Sequence, residues 1–312
     1  MGNPRRLGWR GFFLVKAMTD PKPETLDMAG LAALAAQAGP RIQSFEVGGR
    51  KVWVKRAARR REPGHHLQAL MSLGLPGSIY RPAPAEVGDA ASRGEARRLR
   101  QFQAKGIDVP ELLFEGPGVL ILGDCGLTIE ARLRLFRDAG QMAAHDDLLV
   151  AMARSLAAVH ALGLVHGRPH PRDMFVREGR IGFMDFEQDP LRAMSLVRAQ
   201  ARDALFLFGF VCDMAVLPET PMRAWEAWSA HVPAAVPGQL AATLKGMKAL
   251  VLAGRLVSRI RQGSDLRRFL AGTGFLCSVL EKSKMPENYP VNMQAQVAQT
   301  AGETNGNDHH AR

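Results

Sequence analysis

Four side chains of this sequence are of the kinds that handle phosphate and divalent metal: Lys55, Glu95, Asp173 and Asp185. Lys55 ends the run Val52-Trp53-Val54-Lys55, which alternates like a buried strand. A lysine ammonium neutralises an anion best when a partner holds its long, flexible stem. Glu95 opens the helix-patterned stretch EARRLRQF and is suited to that task. Asp185 follows the apolar run Ile181-Gly182-Phe183-Met184, so a strand delivers it to a turn. Asp173 closes the turn-rich segment HGRPHPRD, residues 166–173. Magnesium takes hard oxygen ligands and keeps several waters, so two carboxylates are enough to hold it. Each residue alone is commonplace. Lys55 and Glu95 also read as solvated surface groups, and the two aspartates as turn caps. Their order along the chain carries the argument.

The elements that must position them can be read in outline. IQSFEV and KVWVKR flank Gly48-Gly49, a hairpin signal. Residues 56–94 are rich in Arg, Pro and Gly, with a short helix expected at His66–Leu73. The pattern predicts a charged amphipathic helix from Glu95 to Lys105, ended by Gly106. VPELLFE and GVLILGD read as two strands, the second buried. Asp146 to Leu162 is a helix with apolar residues at three- and four-residue spacing, ending near Gly163. After the 166–173 loop, MFVREGRIGFMDFE reads as a second hairpin, and Arg202-Asp203 stand near the start of the next helix. From Ala199 to about Leu280 the chain is mostly helical, interrupted by Pro218, Pro221, Pro233 and Pro237. The Gln/Asn/Thr-rich tail beyond Lys284 reads as disordered. Strands first and helices later predict an α+β architecture.

Composition limits the alternatives. A chain of 312 residues, 46% of them hydrophobic, can bury a sizeable core. Its formal net charge of +11 favours anionic partners without choosing among them. Aromatics make up 6% and no nucleic-acid motif is present, so nucleic acid is not an expected partner. Three scattered cysteines, Cys125, Cys212 and Cys277, suggest neither a zinc site nor a disulfide framework. The start of the chain lacks a signal-peptide pattern, and no window reaches the roughly 20 apolar residues of a membrane span. The expected location is cytoplasmic.

The ordered set resembles the protein-kinase-like superfamily, in which a strand lysine pairs with a helix glutamate and an aspartate after a later strand binds magnesium. Within it, EARRLRQFQAKGIDVPELL and the absence of a glycine-rich loop resemble the bacterial lipopolysaccharide-core kinases, the Kdo and heptose kinase group. The resemblance runs from about Ile42 to Leu280 and implies two lobes: a small β-rich one over 41–126 and a larger, mostly helical one over 127–283. Residues 1–40 become an N-terminal extension and 284–312 a tail. It implies ATP and Mg2+ as cofactors, with Lys55 and Glu95 at the phosphates and Asp173 and Asp185 as metal ligands. The hinge at Asp124, Cys125 and Gly126 would receive adenine, and Asp203 would tie the His166 loop to the following helix. The implied acceptor is a hydroxyl of a sugar or lipid-linked molecule, with protein Ser/Thr and small-molecule acceptors left open. Peripheral attachment to the inner face of the membrane, through RAARRR (56–61) and the basic stretch 245–261, would suit a lipid-linked acceptor.

One departure matters. The family's catalytic aspartate should stand two residues after His166, and that position is Arg168. An arginine is protonated at any physiological pH and cannot be a base. Three readings follow. Transfer proceeds by positioning alone, forgoing a base that typically adds about 10²–10⁴-fold. His170 or Asp173 takes the proton, with Arg168 contacting the phosphoryl or an anionic acceptor. Or the chain binds a nucleotide or a partner without turnover. A second departure is Glu187, which stands where the family's Asp-Phe-Gly motif has glycine.

Overall fold

Two glycines with positive φ, Gly48 at 57° and Gly49 at 72°, turn the chain between β1 (Ile42–Val47) and β2 (Arg50–Arg56). Positive φ at both central positions is what a tight two-residue hairpin requires. The computed structural model describes residues 27–58, 86–247, 251–252, 254 and 263–282. The helix expected at 66–73, the tail beyond 284 and most of the two basic segments lie outside the described residues.

Strands β3 (Leu112–Gly116) and β4 (Val119–Gly123) complete an antiparallel sheet of order β1-β2-β4-β3. Each face of this sheet has its own cover. Helix α1 (Met28–Ala36) packs Leu31 and Leu34 over Val52, Val54, Val119 and Ile121. Helix α2 (Gly88–Ala104) lays Ala96, Leu99 and Phe102 over the other face, against Leu120 and Leu122. Part of the expected N-terminal extension therefore belongs to the sheet's packing. Helix α2 also begins seven residues before the expected Glu95.

The second part is mostly helical. Helices α3 (Ile129–Asp138) and α4 (Met142–Ala161) precede a 3-10 turn at Pro171–Asp173 and the hairpin β5 (Met174–Arg177) and β6 (Arg180–Phe183). Helices α5 (Leu196–Met214), α6 (Thr220–Ser229), α7 (Ala235–Gly246) and α8 (Ser264–Lys282) follow. The prolines fall where helices start: Pro221 lies in the first turn of α6, and Pro237 is the third residue of α7. Buried Asp146 on α4 ties this part together, accepting the Val216 and Leu217 amides and the Thr220 hydroxyl. The fold is thus α+β, a small antiparallel sheet joined to a larger helical body. No described helix is long and apolar enough to cross a membrane.

Candidate functional site

Strand alternation decides where Lys55 points. Val52 and Val54 lie under α1, so Lys51, Trp53 and Lys55 share the opposite face, toward α2. Glu95 lies on that side, and the Lys55 Nζ is 2.8 Å from its Oε1. The same ammonium is 2.6 Å from Asp185 Oδ1 and 2.9 Å from Glu187 Oε1. Three carboxylates surround one cation. Burial works against the charged lysine, but Glu95, Asp185 and Glu187 outweigh it and raise its pKa above the ordinary value. Burial likewise opposes the charge on Asp185, yet the ion pair and hydrogen bond from Lys55 hold its pKa below the usual carboxylate range.

Asp185 adopts a φ of 65°, in the left-handed region. For an L-residue this costs on the order of 1–2 kcal/mol, and aspartate is among the side chains that tolerate it. The Met184 amide donates to the Asp173 carbonyl at 2.9 Å, continuing the Met174–Phe183 pairing of the hairpin. Asp173 and Asp185 therefore lie at the same open end of β5 and β6. Burial, then the nearby Asp185 charge, push Asp173 up to about 7, while Arg172 and Arg168 pull it down. Among the described residues no group of three or more His, Cys, Asp or Glu could hold a metal. Two carboxylates at one end of a hairpin are hard oxygen donors that could hold magnesium, and a divalent cation would relieve the part of the Asp173 shift that comes from Asp185.

The 166–173 loop is fixed from two sides. Asp203 on α5 accepts the His166 amide at 2.6 Å and the Gly167 amide at 2.9 Å, the tie expected from sequence. Arg98 on α2 donates to the carbonyls of Val165, His166, Phe186 and Gln188, and it is buried. Burial lowers the His166 pKa to about 4, so the neutral ring donates from Nε2 to the Met184 carbonyl at 3.0 Å. Arg168 is half-buried, and its charge lowers the pKa of both Asp173 and Asp185.

His170 stands apart from this cluster. Its Nδ1 accepts the Arg172 amide at 3.1 Å, and its ring packs against Phe210 with centroids 4.2 Å apart. Burial, Arg172 and Arg168 lower its pKa to about 3, which makes it a weak base. The expected hinge is at the far end of β2 from Lys55. There Asp124 accepts the Trp53 indole N–H at 2.6 Å and the Gly126 amide at 2.9 Å, so its carboxylate holds the segment's shape. Gly126 has a φ of 71°. Burial raises the Cys125 thiol to about 11 despite nearby Arg177.

Sequence reasoning missed two residues of this cluster. Arg98 is one of several arginines on α2, and only burial singles it out. Arg41, which pairs with Glu187, is 146 positions away in the chain.

No family model matches the chain. A stretch of 179 residues is 26% identical to a Haemophilus influenzae protein described as uncharacterized, covering 55% of this chain and 63% of that protein. The match spans less than two thirds of the relative's length, and the relative's description names no activity.

Proposed function

We propose that this chain is an ATP- and Mg2+-dependent phosphotransferase of the kinase-like type, acting on a hydroxyl of a sugar or lipid-linked acceptor. The observation that carries the reading is the gathering of Lys55, Glu95 and Asp185, with sequence separations of 40 and 130 residues. Lys55, held by Glu95, would bind the nucleotide's phosphates. Asp173 and Asp185 would hold magnesium, which when bound neutralises charge on the transferred phosphoryl group. Arg168, beside both aspartates, would meet that phosphoryl or an anionic acceptor. The segment Asp124 to Gly126 would face the adenine. Asp124 pairs with Lys51, four residues along β2 from Lys55, so the two ends of the site are about 13 Å apart. The basic balance of the chain suits an anionic acceptor, and exposed Lys245 belongs to the segment expected at a membrane's inner face.

A second reading is binding without turnover. It is favoured by Arg168 at the place of the expected base, with His170 too weakly basic to replace it. The decisive experiment combines thermal melting with ATP and magnesium, and transfer of labelled γ-phosphate to sugar, lipid-linked and protein acceptors. A magnesium-dependent ATP shift that Asp185→Ala abolishes, together with transfer, supports the enzyme. The same shift without transfer to any acceptor supports the second reading. A shift that survives Asp185→Ala overturns the site assignment.

A further inference from the structure

Glu187 touches two cations at once. Its Oε1 lies 2.9 Å from Lys55 Nζ, and Arg41 Nη2 donates to both of its oxygens at 2.5 Å. Arg41 is no loose surface arginine at its backbone. Its carbonyl accepts the Arg56 amide at 2.7 Å, which pins it beside the end of β2, next to Lys55.

Two of the three N–H groups of the Lys55 ammonium donate to Glu95 and Asp185, and Glu187 faces the same ammonium as an ion pair. An anion binding both Lys55 and Arg41 would take the place that Glu187 holds between them. Glu95 is 5% exposed on α2, and Asp185 belongs to the proposed metal pair. Glu187 is half-exposed in the loop after β6 and outside the proposed metal pair, so it is the carboxylate able to leave. The adjoining cavity is lined by Arg41, Lys55, Ser92, Glu95 and Glu187, so an anion in it would meet both cations and the Glu187 carboxylate. A carboxylate bridging two cations offers the charge and acceptor oxygens that a phosphoryl group would bring to the same place.

We propose that Lys55 and Arg41 form a subsite for a phosphoryl group of a polyphosphate, filled by the chain's own Glu187 when no ligand is bound. The proposal rests on the nucleotide reading above and adds Arg41 as a ligand-binding residue, with Glu187 as an internal competitor.

The test is calorimetric titration of the full chain with tripolyphosphate and with Mg-ATP, in wild type, Lys55→Met, Glu187→Gln, Arg41→Gln, Arg41→Lys and the Glu187→Gln/Arg41→Gln double variant. Melting of each variant without ligand checks that it folds. Glu187→Gln is expected to tighten binding about tenfold, by removing the competitor. Arg41→Gln is expected to weaken it about tenfold in both backgrounds, with Arg41→Lys within about threefold of wild type. If Arg41→Gln changes nothing once Glu187 is Gln, Arg41 acts on binding only through Glu187 and the subsite is overturned. The same follows if Glu187→Gln leaves affinity unchanged. Binding that depends on Lys55 but not on Arg41 defeats the subsite and leaves the nucleotide reading standing. Absence of binding to every variant defeats both.

Discussion

Glu95 and Arg98 lie one helical turn apart on α2, and one holds the sheet's lysine while the other holds two loops of the helical part. Glu95 holds Lys55 of the sheet at 2.8 Å, while Arg98 donates to four carbonyls of the loops at 165–166 and 186–188. Residues three apart on a helix share a face, so a single rigid element sets both contacts. Displacing α2 would break the lysine pair and release the loops together.

Replacing Arg98 by Met strips the donors from those carbonyls and is expected to cost on the order of 3–5 kcal/mol. Arg98→Lys should recover only part of this, because an ammonium lacks the planar fork that spans several acceptors. Denaturant unfolding measures both, through a lower midpoint at unchanged slope. A loss below about 1 kcal/mol would mean that water replaces the guanidinium at these carbonyls.

Lys55→Met should give a pH-dependent defect. Burial already pushes Glu95 above the ordinary carboxylate range, and Lys55 pulls it back. Without the lysine, Glu95 stays protonated to higher pH in the folded state than in the unfolded one. Its ionisation then costs stability as pH rises, so the defect grows from pH 5 to pH 8, by roughly 3 kcal/mol at most. Melting curves across that range provide the check, and Lys55→Met/Glu95→Gln should be flatter with pH than Lys55→Met alone. Parallel curves for the two variants would contradict the account.

The 166–173 loop depends on one glycine and one aspartate. Gly167 has a φ of 105°, and a Cβ there would lie 2.6 Å from the Gln188 carbonyl oxygen. Gly167→Ala should destabilise by roughly 1–3 kcal/mol through strain alone. Asp203→Ala leaves the His166 and Gly167 amides without their acceptor, at roughly 1–3 kcal/mol each. Hydrogen exchange at those two amides should accelerate in Asp203→Ala. Unchanged exchange would show that another acceptor takes over.

What the sequence revealed of this arrangement follows from how local each signal is. The Gly48-Gly49 hairpin and the facing of Lys55 come from alternation and turn chemistry, which neighbouring residues determine. The early start of α2 was hidden because Gly88 and Gly94 are poor helix formers. Helix α3 went unread, although Thr128 caps it by accepting the Ala131 amide at 3.2 Å. Arg98 could not be told from Arg97 and Arg100, whose side chains are 63% and 59% exposed, because burial is a tertiary property. The pairing of Arg41 with Glu187 has no local signature at all.

Asp173 offers the clearest pH test of the site. Burial and the charge of Asp185 raise its carboxyl from the ordinary 3.8 to about 7. Below about pH 4 the group is protonated in both folded and unfolded chains and costs nothing. Between about pH 4 and 7 the unfolded chain ionises it first, so stability falls, by at most ~4 kcal/mol over the window. Asp173→Asn removes this titration, and its melting temperature relative to wild type should climb by several degrees from pH 5 to pH 8. Magnesium, if held by Asp173 and Asp185 as proposed, would favour the ionised form and expel a proton below pH 7. Its stabilisation of wild type should therefore be larger at pH 8 than at pH 6, and absent in both Asp173→Asn and Asp185→Asn. Equal stabilisation at the two pH values, or its survival in either variant, would remove magnesium from this pair.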